Sequence, residues 1–240
     1  MRQHLLPIGI FAIAGGLLAG GTTAEAAIET WVSGTGSDAG NCPITAPCST
    51  FAYAHSQTNN FGAINVLSSG NFGPLTITKP ISIVAQGVEA VINTAAGGAG
   101  IIVQAGGGAV ISLRGLTIDL RQPNNDGISF VSGAALHVHC IIRGSVFGIK
   151  FAPASGFSEF HVSDSVTNTS ANGIEVKPTG SGGAKVVLDR VRAENATFGA
   201  GFHFSGNSTT GSITATVIVL RRATLLGALL RRTAAAARPL

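Results

Sequence analysis

The chain has 240 residues, 45% hydrophobic and only 11% charged, with 33 glycines and three cysteines. That apolar content excludes a disordered polyelectrolyte, and three cysteines are too few to frame a disulfide-built miniprotein. The net charge of +4 does not mark a nucleic-acid binder: five arginines fall in the last 20 residues, whereas Ala27 to Val219 holds nine basic against ten acidic side chains and carries no basic stripe with interleaved aromatics.

Residues 1–26 read as a secretory signal. Arg2 and His4 precede an apolar run from Leu5 to Ala19, and Ala24-Glu25-Ala26 offers the small-x-small pattern that a signal peptidase accepts. Cleavage is expected after Ala26. The run is broken by Pro7 and several glycines and is short for a membrane span, so an uncleaved anchor is the lesser alternative. No later stretch is long and apolar enough to cross a membrane, which makes the expected product secreted or periplasmic. Export permits disulfides, and Cys42 and Cys48 bracket a turn-rich Pro43-Ile44-Thr45-Ala46-Pro47 where a short bridge could close. Cys140 is left over in an apolar context that suits a buried small hydrophobe.

A repeat then dominates. Glycine followed by an apolar-x-apolar triplet recurs at Gly100-Ile101-Ile102-Val103, Gly127-Ile128-Ser129-Phe130, Gly148-Ile149-Lys150-Phe151, Gly173-Ile174-Glu175-Val176 and Gly201-Phe202-His203-Phe204, with spacings of 27, 21, 25 and 28. A second alternating stretch follows in each unit, as in Ile111-Ser112-Leu113, Leu136-His137-Val138, Phe160-His161-Val162 and Val186-Val187-Leu188. Short β-rich runs at a period of about 25, without helices between them, predict a solenoid of parallel strands over residues 27–217. Dividing the domain by that period gives roughly seven or eight coils.

These repeats, together with Pro47-Cys48-Ser49-Thr50-Phe51-Ala52-Tyr53-Ala54 and Ile77-Thr78-Lys79-Pro80-Ile81-Ser82-Ile83 upstream, make the chain resemble the right-handed parallel β-helix proteins of the pectate-lyase-like superfamily from about Trp31 to Val217. The resemblance implies an all-β fold with a short N-terminal capping helix, in which Phe51, Ala52 and Ala54 cover the open end of the core. It also implies that saccharide lies along the first sheet. Fold alone fixes no chemistry, since one architecture serves many activities.

Stacked coils turn sequence into surface columns, because equivalent outward positions lie about 4.8 Å apart. The first column reads Ile102, Ser129, Lys150, Glu175, His203, and the next Gln104, Val131, Ala152, Lys177, Ser205; Asp126 and Asn172 precede two of the glycines. Asp126, Ser129, Lys150, Glu175, Lys177 and His203 are therefore the candidate ligand-binding residues, able to hold a sugar acid or move a proton. The competing reading is a solvated ladder of alternating charge. On the second sheet His137, His139 and His161 are a candidate transition-metal set, or else ordinary surface histidines.

No catalytic residue carries over from the resembled enzymes. Calcium-dependent pectate lyases cluster acidic ligands beside an Arg, whereas Asp119, Asp126, Asp164 and Asp189 fall on different coils and corners. The Asn-Thr-Asp, paired-Asp and Gly-His-Gly elements of polygalacturonase-like hydrolases are absent, as are the paired Asp and Arg of pectin methylesterases. No cofactor is assigned, calcium and a transition metal being the two ion classes left open, and no oligomeric state is assigned. The sequons at Asn168, Asn195 and Asn207 serve glycosylation in a eukaryotic host or simply form corners. From 218 to 240 the chain switches to Ala, Leu and Arg, which reads as a frameshift product or as an amphipathic cap helix. The functional expectation is an exported β-helix that contacts extracellular or envelope polysaccharide. A non-catalytic scaffold or adhesin-like solenoid, and a polysaccharide lyase or glycoside hydrolase, are the alternatives.

Overall fold

The computed structural model describes residues 27–94, 98–121, 125–206 and 212–219. The elements begin with β1 (Ala27–Val32), α1 (Phe51–Gln57), β2 (Thr58–Val66), β3 (Gly70–Asn71), β4 (Leu75–Ile77), β5 (Ile81–Ala85) and β6 (Ala90–Ile92). The middle of the chain forms β7 (Ile101–Gln104), β8 (Val110–Asp119), β9 (Asp126–Ser132), β10 (Ala135–Ser145), β11 (Phe147–Phe151) and β12 (Phe157–Ser163). The last strands are β13 (Val166–Thr169), β14 (Ile174–Val176), β15 (Gly183–Asp189), β16 (Arg192–Glu194), β17 (Phe202–Phe204) and β18 (Ile213–Val219).

Every strand pairing among the described residues is parallel, and strands pair with their counterparts one coil away. The expected all-β parallel β-helix is the observed fold. Three faces result. The first stacks β4, β7, β9, β11, β14 and β17; the second stacks β1, β2, β5, β8, β10, β12, β15 and β18. The third contains β3, β6, β13 and β16, joined to the second because β8 and β10 run through the corner as single bent strands. Gly115, at φ +72°, is the extra residue of that bend, and β8 and β10 change register there, between His139 and Cys140.

About five full turns are stacked, at about 26 residues each, rather than the seven or eight expected. Chain length overstates the count because residues between β1 and β2 form no coil. They build a loop closed by the Cys42–Cys48 disulfide, whose Cα atoms are 5.1 Å apart, and then α1. Thr50 caps α1 by accepting from the Tyr53 N–H at 3.1 Å, and Asp38 pins the cap by accepting from the Ser49 and Thr50 N–H groups at 2.8 and 2.9 Å. Burial raises the Asp38 carboxyl, but hydrogen bonds from Thr50 and Ser49 outweigh it and hold the group below its ordinary value. Phe51 and Ala54 are fully buried, with the Phe51 ring 4.9 Å from Phe72. Ala52 instead faces solvent, because one helical step turns it about 100° away from Phe51.

Inward triplet positions make the core. Ile101, Ile128, Ile149 and Ile174 form one fully buried row, and Phe130, Phe151 and Phe160 stack at ring separations of 4.3 and 4.5 Å. Burying one such ring stabilises the fold by roughly 1.5–3 kcal/mol. Cys140 is buried and free, and burial pushes its thiol up to about 12. No helix among the described residues is long and apolar enough to cross a membrane. The strand β18 runs on to Val219, two residues past the expected end of the repeat, while residues 1–26 and 220–240 lie outside the described residues.

Candidate functional site

The repeated glycines set the first face. A Cβ on Gly127 would stand 2.3 Å from the Gly148 carbonyl oxygen, one on Gly148 2.3 Å from that of Gly173, and one on Gly173 2.6 Å from that of Gly201. Each coil therefore seats its triplet against the next with no side chain between them. The middle residue of every triplet then points outward in register. Ile102 pairs with Ser129, Ser129 with Lys150, Lys150 with Glu175 and Glu175 with His203, as the sequence repeat predicts.

Glu175 organises the column. It is only 7% exposed although it points away from the core, and its Oε1 accepts from Asn172 Nδ2 at 3.3 Å and lies 3.2 Å from His203 Nδ1. The Asn172 Oδ1 in turn accepts from the Ala200 N–H at 2.8 Å, which locks the loop ahead of β17. Glu175 is thus a clamp that orients His203, whose side chain remains 38% exposed. Lys150 lies with its Nζ 5.5 Å from the centre of the half-buried Phe147 ring, one of the arrangements in which a cation is attracted by an aromatic face. Asp126 is paired with Phe147, one coil before Lys150. Burial raises its carboxyl above the ordinary value; Lys150 opposes that shift and Glu175 adds to it. Asp126, Lys150 and Glu175 therefore share one electrostatic environment.

One expectation on this face changes. The second column breaks at its start, because Gln104 pairs with Ser132 rather than Val131 after a register shift behind Val103. Lys177 is exposed in that second column, beside the first column of Lys150, Glu175 and His203.

On the second face His137 and His161 are direct register partners with ring centres 5.2 Å apart. His139 does not join them. It stands two residues along β10 from His137, about 6.6 Å away, opposite Arg114. Among the described residues no three His, Cys, Asp or Glu side chains are arranged to hold a metal ion. The candidate metal set of His137, His139 and His161 is therefore spread over two columns, with the His137 and His161 rings adjacent and His139 in register with Arg114.

What sequence reasoning missed is the shape around these rings. A groove of about 460 Å³ crosses β8, β10, β12 and β15, lined among others by Ser112, Arg114, His137, His139, His161 and Asp189. The available signal was the two-residue offset shared by Ser112/Arg114 and His137/His139, which places Arg114 beside His139. At the corner of the same face Asp164 and Arg190 both adopt positive φ, and Arg190 binds Asp164 at 2.5 and 2.7 Å. Asn195 and Asn168 stack through a 3.2 Å hydrogen bond at another corner, while Asn207 lies outside the described residues.

No family model and no curated protein matches the chain. A crystal structure of pectate lyase Pel9A is similar over 78% of this chain, with 15% sequence identity and a TM-score of 0.43. The chain spans 62% of the length of that protein. A likeness of this depth carries no residue role across.

Proposed function

We propose that the protein is an exported, non-catalytic saccharide-binding solenoid that holds a polysaccharide chain along its first face. The observation that supports it is the in-register column Ser129, Lys150, Glu175 and His203, with Glu175 buried and clamped so that His203 is presented to solvent. Outward polar groups recur about every 4.8 Å from coil to coil, so an extended polymer laid along the stack meets a hydrogen-bonding partner at each step. The half-buried Phe147 ring gives a sugar face an apolar surface beside the Lys150 ammonium. Asp126 and Lys177 border the column and would read charge on the chain. Export is supported by the leader-like residues 1–26 and by the Cys42–Cys48 disulfide, a bond that persists in oxidising compartments.

The test is binding of a panel of acidic and neutral polysaccharides, with and without calcium, to the wild type and to Glu175→Ala and His203→Ala. Each variant is expected to lose at least about tenfold in affinity, as loss of one charge-assisted contact implies, with the melting temperature kept in the half-exposed His203→Ala and lowered in Glu175→Ala, which strands its buried partners. Unaltered binding would dismiss the first-face site. New reducing ends or unsaturated products would replace the reading with a hydrolase or lyase. Neither binding nor turnover would leave the scaffold or adhesin-like solenoid.

A further inference from the structure

The second-face groove has a charge arrangement that the first-face reading does not use. Of the groups facing it, β8 supplies Arg114, β10 supplies His137 and His139, β12 supplies Glu159 and His161, and β15 supplies Lys185 and Asp189, with Asp164 and Arg190 at the corner; β5 and β18 supply no titratable side chain. Each of the carboxylates has a cationic partner, although Asp164 and Asp189 share one. Glu159 accepts from Lys185 at 3.0 Å, and Asp164 and Asp189 both bind Arg190, at 2.5 and 2.6 Å. Arg114 forms no ion pair among the described residues. It is a free guanidinium lining a groove whose floor also holds the adjacent His137 and His161 rings, with the Ser112 hydroxyl beside them.

We infer that this groove binds an oxyanion, a carboxylate or a sulfate or phosphate ester, clasped by the Arg114 guanidinium and by ring N–H groups of His137 and His161. A guanidinium offers a planar fork of donors to such a group, and hydrogen bonds from charged donors are about twice as strong as neutral ones. Glu159, Asp164 and Asp189 outnumber Lys185 and Arg190 by one, and Arg114 offsets that remaining negative charge, so the groove becomes net positive only when an imidazole takes up a proton. Burial, the neighbouring His161 and Arg114 all hold His137 below the usual imidazole range, while Glu159 opposes them; a bound anion favours the protonated ring. Affinity must then rise as pH falls. The groove crosses four strands, about 14 Å, which is room for one anionic group or for a short run of a charged chain.

Sulfate is the probe, because its charge is constant between pH 5 and 8. Titrated calorimetrically into the full chain, it is expected to bind at pH 5.5 and to weaken at least about tenfold by pH 8. Arg114→Gln should lower the pH 5.5 affinity by about tenfold or more, Arg114→Lys by less, and His137→Asn with His161→Asn should flatten the pH profile. Arg143→Gln, which breaks an exposed pair with Asp119 on the third face, should change nothing. A linear oligouronate binding more than about tenfold tighter than sulfate would identify a saccharide chain as the source of the anion, and equal affinity would identify a lone anion. Equal sulfate affinity at both pH values, indifference to Arg114→Gln, or no binding of either probe overturns the inference. Glu175→Ala and His203→Ala probe the first face alone, so the two sites fail separately.

Discussion

His55 is the residue on which acid should act first. It sits on α1 at 8% exposure, with its Nε2 accepting from the Thr78 N–H at 3.4 Å and Lys79 close by. Burial, reinforced by the Lys79 charge, lowers its pKa to about 4. The unfolded imidazole titrates near 6.5, so between about pH 6.5 and 4 the unfolded chain takes up a proton that the folded chain refuses. The stability contribution is therefore complete above pH 6.5 and is lost as pH falls toward 4. Denaturant midpoints at pH 7 and pH 4 should show the wild type losing roughly 2–3 kcal/mol more than His55→Gln, which keeps an acceptor and cannot be protonated. Equal losses would mean that His55 is not the group responsible. Lys79 beside it donates to the Thr58 carbonyl at 2.5 Å, and burial lowers its pKa as well, so this end of the solenoid holds two cations poorly.

At the scale of the strand, the glycine that opens each triplet is the part of the fold most sensitive to substitution. The sequence displays the recurrence plainly, but composition suggests that glycines serve corners, and the triplet glycines do not. Gly127, Gly148 and Gly173 have ordinary φ, and their requirement is contact with the carbonyl of the next coil. Gly148→Ala is expected to cost about 2–3 kcal/mol by overpacking the ladder, whereas Gly107→Ala, which meets nothing within 4 Å, should stay within about 0.5 kcal/mol of the wild type. Chemical denaturation of the two variants separates a packed ladder from a merely flexible one. The same contrast explains what else could be read. Period-two alternation fixes which side of a strand faces out, so Lys150, Glu175 and His203 were legible as neighbours. Gln104 was not, because its offset comes from a local register shift that no residue type announces. The clamp on Glu175 was also hidden, since Asn172 reaches it from a turn rather than from the column.

For the whole molecule, the repeat made the architecture legible and the ends less so. Period and alternation demand stacked parallel coils, while the disulfide loop and α1 divert residues 33–57 from coil formation, which lowers the number of turns. Depth was the other thing missing. A column of letters shows which side chains are adjacent, but not that residues of four strands wall a groove around His137 and His161. Chemistry was least legible of all, because a solenoid face is built from whatever residues happen to fall outward, and only their hydrogen bonds separate a clamp from a contact.

The hydrogen bonds between strands run along the stacking axis, and each coil meets only the coils above and below it. Under tension applied from end to end, such bonds are loaded one row at a time, like the teeth of a zip, rather than all together in shear. Single-molecule extension should therefore give a ladder of low, evenly sized force drops. Each drop would release about 26 residues, or roughly 90 Å of chain at about 3.5 Å per residue. One large rupture releasing the whole domain would contradict this mechanical picture. Drawn out along its axis, the molecule is expected to yield in small instalments.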